Sequence, residues 1–336
     1  MHIFKLNKSK TVFLLFGFII LFILFRSFGV EKFLNDIMLL GWRFIIIVFL
    51  FLFNNIILSY AWKVLINYSI KWNIFYKLVL ARIAGDSTSS INLMGAFAGE
   101  PIKALFLKNE IPFKTGLASV VLDRTVHSLA NALMLLTGII FSFFILDLPV
   151  GISIGFLIFI ILFCVLIILI LKKQKDGFIE FIVNRIPKKI SSKFMTDDKL
   201  KKISEIDKEI ISVLHSKNNL KRFFTSLAVR YISVLITGTL EVFLIIKFIN
   251  VNITAINSMF VYLFTLFLTS IVFFMPANIG TSEASYSLAL KFLGYDPALG
   301  LTVGIIRRLR TFVWAGIGVL ILFYGSVKKE KTNNYE

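Results

Sequence analysis

A chain of 336 residues that is 57% hydrophobic and only 17% charged, with a mean hydropathy of +0.86, cannot present the charged surface of a water-soluble domain. Its formal net charge of +18 fits Lys and Arg in cytoplasmic loops facing anionic lipid, so no nucleic-acid partner is expected. One cysteine, Cys164 in an apolar run, rules out a disulfide framework, and with three scattered histidines no metal or cofactor site is expected.

These properties predict an all-α polytopic membrane protein, with residues 1–336 forming one integral membrane domain. Lys5, Lys8 and Lys10 precede an apolar run from Thr11 to Phe25, and no small-residue cleavage site follows, so a retained first span is expected. A second run, about 37–60, is long enough for a hydrocarbon core that takes ~20 helical residues to cross. Tyr60, Trp62 and Trp72 at its end are expected to form an interfacial aromatic girdle.

From Ile74 to Ala84 the chain is apolar, and then Gly85-Asp86-Ser87-Thr88-Ser89-Ser90 and Asn92 interrupt it before Gly99-Glu100-Pro101. Broken backbone cannot face lipid, because each unpaired N–H or C=O costs several kcal/mol. A re-entrant hairpin is therefore predicted, with Pro101 in the first turn of its returning helix. Thr115 to Ile145 is apolar apart from Asp123, Arg124, His127 and Asn131, and Leu148 to Leu171 is an uncharged span.

Residues 172–222 carry 14 Lys or Arg. Within them Leu200, Ile203, Ile206, Ile210 and Val213 recur at helical spacing, which predicts an amphipathic helix on membrane-surface lipids or on a partner helix. The span at 223–249 carries Arg230 and Glu241, which are not one face apart by simple spacing and are read as packing between spans. Residues 258–275 are apolar, and the run from Met275 to Glu283 breaks them. A short helix from Ala284 to Leu293 and a last span from Ala298 to Tyr324, interrupted by Arg307, Arg308 and Arg310, complete the chain.

If both interrupted segments return to the side they entered, the inside segments carry 27 Lys and Arg and the outside loops three, Arg26, Lys32 and Lys291. Crossing hairpins would abolish that bias. Returning hairpins place both termini in the cytoplasm of a multi-pass cell-membrane protein. They also make the spans at 37–60 and 223–249 run in opposite directions. The expectation is thus inverted-topology repeats at 30–145 and 223–325, with six to eight transmembrane helices plus two re-entrant hairpins. The spacing repeats as well: Glu100 to Arg124 and Glu283 to Arg307 are both 24 residues.

An arginine inside a span costs ~2.5–3.5 kcal/mol on insertion scales, so Arg124, Arg307, Arg308 and Arg310 need partners. One reading pairs them with Glu100, Glu283 or Asp123. The other has Arg124, Arg307 and Arg308 receive an anionic phosphate at the helix starts marked by Gly99, Glu100, Gly280, Ser282 and Glu283. Glu100 and Glu283 would then compete for arginine or carry a coupling proton or cation. Asp123 and His127, spaced i, i+4, are candidates for a hydrogen bond or a proton relay. Ser87, Thr88, Ser89, Ser90, Asn92 and Asn278 are read as satisfying broken backbone.

The pattern Ala98-Gly99-Glu100-Pro101 with Val121-Leu122-Asp123-Arg124, then Pro276-Ala277-Asn278-Ile279-Gly280 with Glu283 and Arg307, resembles the lysylphosphatidylglycerol synthase transmembrane, flippase-like family. That resemblance implies translocation of an anionic phospholipid or a polyprenyl-phosphate-linked lipid, including a lipid-linked sugar. With no soluble aminoacyl-transferase domain in this sequence, lysine transfer is not expected. The absence of a Walker motif argues against direct use of ATP. The competing classes are an intramembrane transferase or hydrolase using Glu100 or Glu283 as base, and a non-transporting lipid-binding protein.

Overall fold

The computed structural model describes residues 30–66, 71–91, 99–145, 217–272 and 278–333, with a few single positions between them. Among these are nine α-helices and no strand. They are α1 (Val30–Leu40), α2 (Phe44–Leu65), α3 (Phe75–Ile91), α4 (Glu100–Phe106), α5 (Phe113–Ile145), α6 (Lys217–Phe248), α7 (Ala255–Ile271), α8 (Thr281–Phe292) and α9 (Pro297–Asn333). The expected span at 11–25, the amphipathic helix at 200–213 and nearly all of the span at 148–171 lie outside the described residues.

Among the described residues, three helical stretches, Leu34–Leu65, Phe113–Ile145 and Asn219–Phe248, are long and apolar enough to cross a membrane. Their outward faces carry bare aromatic and aliphatic side chains such as Phe49, Phe53, Ile140, Phe144 and Ile232. So much continuous exposed apolar surface is stable only against lipid. The chain is an all-helical membrane protein.

Two further pairs of helices are shorter. α3 and α7 have 17 residues each, and each is followed by a shorter helix that folds back on it. In the first pair Gly99 N–H donates to Ser89 Oγ at 3.1 Å, Lys103 meets Asp86 at 2.7 Å, and Lys77 pairs with Glu110. Residues further along α4 thus meet residues further back along α3, which defines an antiparallel hairpin. In the second pair Phe264 meets Phe292 edge-on, and Asn257 Nδ2 donates to Tyr295 OH at 3.5 Å.

The interruption expected at Gly85–Ser90 is absent, and α3 continues through it to Ile91. Ser87 and Thr88 donate their hydroxyls to Ile83 O and Ala84 O one turn back, so in apolar surroundings they serve the helix they were expected to break. Gly85 and Gly99 instead let the hairpin close: a Cβ on Gly99 would stand 1.8 Å from the Gly85 carbonyl oxygen, and one on Gly85 would stand 2.9 Å from the Gly99 carbonyl oxygen. A second correction concerns Trp62, which is no girdle residue. It is fully buried between α3 and α5, with its indole N–H on Ser119 Oγ, while Tyr60 and Trp72 stack outside. Residues 60 and 62 lie about 200° apart around a helix, so only one of them can face outward.

Packing between elements repeats across the chain. α2 lies against α6; α3 packs on α9 while α7 packs on α5; α4 rests on α5 as α8 rests on α9. The contact between α2 and α6 is antiparallel: Arg222 donates to Val64 O at 2.9 Å, Ser233 to Asn54 Oδ1 at 2.8 Å and Arg43 to Phe248 O at 3.0 Å. Glycines set the two crossed contacts. Gly138 of α5 sits on Leu263 of α7, and Gly318 of α9 sits on Ile83 and Ser87 of α3. The same sequence offset separates Gly138 from Gly318 and Ile83 from Leu263.

Candidate functional site

Charge collects at two places inside this apolar frame. The first lies where α3, α4, α5 and α6 meet. Asp123 on α5 takes Arg82 of α3 at 2.9 Å on one carboxylate oxygen and Arg230 of α6 on the other. All three side chains are buried. Beside them runs a chain of alternating charge: Asp86, Lys103, Glu100 and Arg124, at separations of 2.7, 3.3 and 3.8 Å. This chain is more open, with the Arg124 side chain 27% exposed and that of Asp123 only 5%.

The second place lies between α6, α8 and α9. Glu241 of α6 bridges two arginines of α9, Arg310 at 2.6 Å and Arg307 at 3.2 Å. Arg307 also donates to Tyr286 OH and lies over the rings of Tyr262 and Tyr286, at 5.3 and 5.5 Å. Arg308 points to the hairpin: its Nε donates to Glu283 Oε1 at 2.8 Å, and its terminal nitrogen donates to Ser282 Oγ and Asn278 O. Glu283 is fully buried, and Gly304 of α9 makes room for it, since a Cβ there would stand 2.8 Å from Glu283 Cγ.

The predicted residues therefore come together in two groups. Gly99, Glu100, Asp123, Arg124 and His127 share the first; Gly280, Ser282, Glu283, Arg307 and Arg308 share the second. Three details differ from expectation. Glu283 pairs with Arg308, while Arg307 is held by Glu241 and Tyr286, so the 24-residue spacing marks an ion pair only in the first half. Asp123 and His127 make no direct bond. Arg230 stands between them, 3.4 Å from His127 Nδ1, and His127 Nε2 meets Asn131 at 3.2 Å. Arg230 and Glu241 do tie spans together, α6 to α5 and α6 to α9, and differ from expectation only in sharing a face. Eleven residues make about three helical turns, so both project from one side of α6.

Arg82 and Lys103 were missed, as was Asp86 beyond its place in a polar turn. An ionisable side chain within an apolar helix was the available signal. The helix starts differ as well. α4 begins at Glu100 with Pro101 next, and Gly99 N–H is already used by Ser89. α8 begins after Gly280, whose φ of 77° only glycine adopts easily, and no side chain caps it.

Among the described residues the first cluster sets four cationic side chains against three carboxylates, and the second sets three against two. No group of three or more His, Cys, Asp or Glu with metal-binding geometry occurs among the described residues. A family model described as Lysylphosphatidylglycerol synthase TM region matches residues 11–318. No curated protein and no solved structure matches the chain.

Proposed function

The chain belongs to the lysylphosphatidylglycerol synthase TM-region family, and from that premise we propose that it translocates an anionic lipid across the cell membrane. The cargo class is an anionic phospholipid or a polyprenyl-phosphate-linked lipid, including a lipid-linked sugar. The observation that carries the reading is the pair of partly exposed arginines, Arg124 and Arg308, each set against a hairpin carboxylate, Glu100 or Glu283. A phosphate can take the place of either carboxylate, and the planar guanidinium matches its oxygens in pairs.

In this reading Arg124 and Arg308 receive the phosphate and exchange Glu100 and Glu283 for it. Arg307, clamped by Glu241 and Tyr286, holds the floor of the second cluster. The uncapped start of α8 at Gly280, with Ser282 in its first turn, adds a positive helix end on the same side as Arg308. The first helical hairpin enters from the cytoplasm and the second from outside, in two inverted halves, residues 30–145 and 223–325. Both termini and the basic segment 172–222 are then cytoplasmic. That segment meets anionic lipid head groups, at about 1 kcal/mol per Lys or Arg near the surface. The antiparallel α2–α6 contact and the crossed glycine contacts support this arrangement, which is that of many secondary transporters.

Reconstitution in vesicles with a fluorescent phosphatidylglycerol, following both leaflet exposure and product mass, tests the proposal. Translocation predicts a change of leaflet with no new chemical species, lost in R124A and R308A protein that still inserts and elutes as wild type does. A new lipid species would show catalysis. Binding without either would show a sensor. Wild-type rates in both variants would overturn the arginine role.

A further inference from the structure

One helix, α6, enters both clusters, through Arg230 and Glu241, and a row of polar side chains joins the two. Ser226, Arg230, Ser233, Thr237 and Glu241 follow at intervals of four, three, four and four residues. At ~100° per residue they share an arc of about 80°, and no residue of α6 between them falls on that arc. All five are buried, whereas Ile232 and Ile236, off the arc, are bare. Beyond Glu241 the same face turns apolar, with Leu244 and Phe248. The row therefore ends at the second cluster.

α2 and α9 cover this row. Ser233 donates to Asn54 Oδ1 of α2 at 2.8 Å, and Phe51 lies about one turn away on that helix. Arg310 of α9, bound to Glu241, sits over the Phe51 ring at 4.2 Å, and the Trp314 ring stands 5.9 Å from it. Trp314 is fixed in turn: its indole N–H donates to Val48 O at 3.2 Å, and its carbonyl oxygen accepts from Ser87 Oγ at 3.0 Å. Because α2 and α6 are antiparallel, Phe51 comes level with Thr237 and closes the row there in this state.

Close helix packing in a membrane asks only for small side chains, and glycine or alanine would meet that need at positions 233 and 237. Hydroxyls add donors. Thr237 donates to Ser233 O at 2.7 Å, a carbonyl that also holds its own helix bond, so the hydroxyl can turn away without orphaning it. At the two ends Arg230 and Arg310, both buried, each have an Nε–H with no acceptor among the described residues. Donors that can turn, set between two guanidiniums, suit a phosphate oxygen passing from one to the other.

We propose that this face of α6 is the path of the lipid head group between the two clusters, with Ser233 and Thr237 holding its phosphate midway. This rests on the translocator reading. Arg230 and Glu241 stand about 16 Å apart along α6, roughly half of a ~30 Å hydrocarbon core. Over that distance a phosphate without donors would be bare in an apolar medium. Ser233 and Thr237 divide the crossing into steps of about 4–6 Å.

The test uses the full chain in phosphatidylcholine vesicles with nitrobenzoxadiazole-labelled phosphatidylglycerol, read by dithionite quenching. T237V removes the hydroxyl and keeps the branched shape. T225V makes the same change on the exposed side of α6, where Thr225 likewise donates to the carbonyl one turn back, Lys221 O at 2.9 Å. T237V should move the label about tenfold more slowly, as expected for losing one hydrogen bond to a charged group. T237S should recover the rate and T225V should keep it, all with a wild-type thermal midpoint. In a Cys164→Ser background, Thr237→Cys should react with a small water-soluble methanethiosulfonate, several-fold more slowly when the vesicles contain phosphatidylglycerol. If T237V lowers the midpoint, the cysteine reaction alone decides. T237V at the wild-type rate, or Thr237→Cys protein that does not react, overturns the path and leaves the translocator standing. A wild type that moves no label overturns both.

Discussion

Asp123 and Arg124 are neighbours on one helix with opposite energetic roles. Asp123 neutralises two guanidiniums from different helices, Arg82 and Arg230, and both have a buried Nε with no hydrogen-bond partner. Removing its charge leaves two buried cations uncompensated, so D123N should cost about 3–5 kcal/mol. Arg124 is partly exposed and meets Glu100 only at 3.8 Å, so R124A should cost no more than about 1 kcal/mol. Thermal unfolding in detergent, followed by tryptophan fluorescence, should show a large drop in midpoint for D123N and almost none for R124A. The transport assay should show loss in both. Equal midpoints for the two would mean that the Asp123 bridge is not the anchor of the first cluster.

At the level of elements, glycine decides how closely helices approach. Gly99 faces the carbonyl oxygen of Gly85 across the first hairpin, and a methyl group at 1.8 Å from that oxygen has no room. G99A must push α4 off α3, which parts the Gly99–Ser89 bond and the Lys103–Asp86 pair. On α9, a Cβ at Gly318 would meet Ser87 Oγ at 1.9 Å, whereas at Gly316 nothing lies within 4 Å. G99A and G318A should therefore destabilise by about 1–3 kcal/mol through overpacking. G316A should stabilise by about 0.5–1 kcal/mol, as alanine does in a helix interior. Unfolding midpoints order the three variants, and a G318A protein as stable as G316A would contradict the crossed packing.

The same contacts explain what could be read from the sequence. The helix starts at Glu100 and Thr281 were legible because Gly99-Glu100-Pro101 and Gly280-Thr281-Ser282-Glu283 stand out from apolar runs, and the acids there do form ion pairs with arginines. Which acid takes which arginine was not legible. The partners of Arg82–Asp123, Arg230–Asp123 and Arg310–Glu241 lie 41, 107 and 69 residues apart, so helix crossing selects them and spacing does not. Trp62 was misplaced for a related reason: an aromatic residue near a helix end suits an interface or a core equally well until the neighbouring helix is placed. Gly85 to Ser90 were read as breakers because hydroxyl residues favour turns in water. With no water to compete, the Ser87 and Thr88 hydroxyls return to the helix backbone.

For the whole molecule, the proposed inversion of the two halves leads to one directional expectation. Since α2 and α6 are antiparallel and each leads into a hairpin, the base of the first hairpin and the base of the second must reach opposite faces of the membrane. Asn109 lies just past α4 and Lys291 near the end of α8, and both are exposed. The chain has a single native cysteine, Cys164, so a Cys164→Ser background isolates each probe. In intact cells a membrane-impermeant maleimide should label Lys291→Cys and leave Asn109→Cys untouched. In inside-out vesicles the pattern should reverse. A parallel arrangement of the halves would instead expose both positions on one side, and two lipid sites related by translation could not take turns facing opposite leaflets. Inverted halves can, because each hairpin would then open toward its own leaflet and the translocator proposed above would need no larger rearrangement than closing one and opening the other.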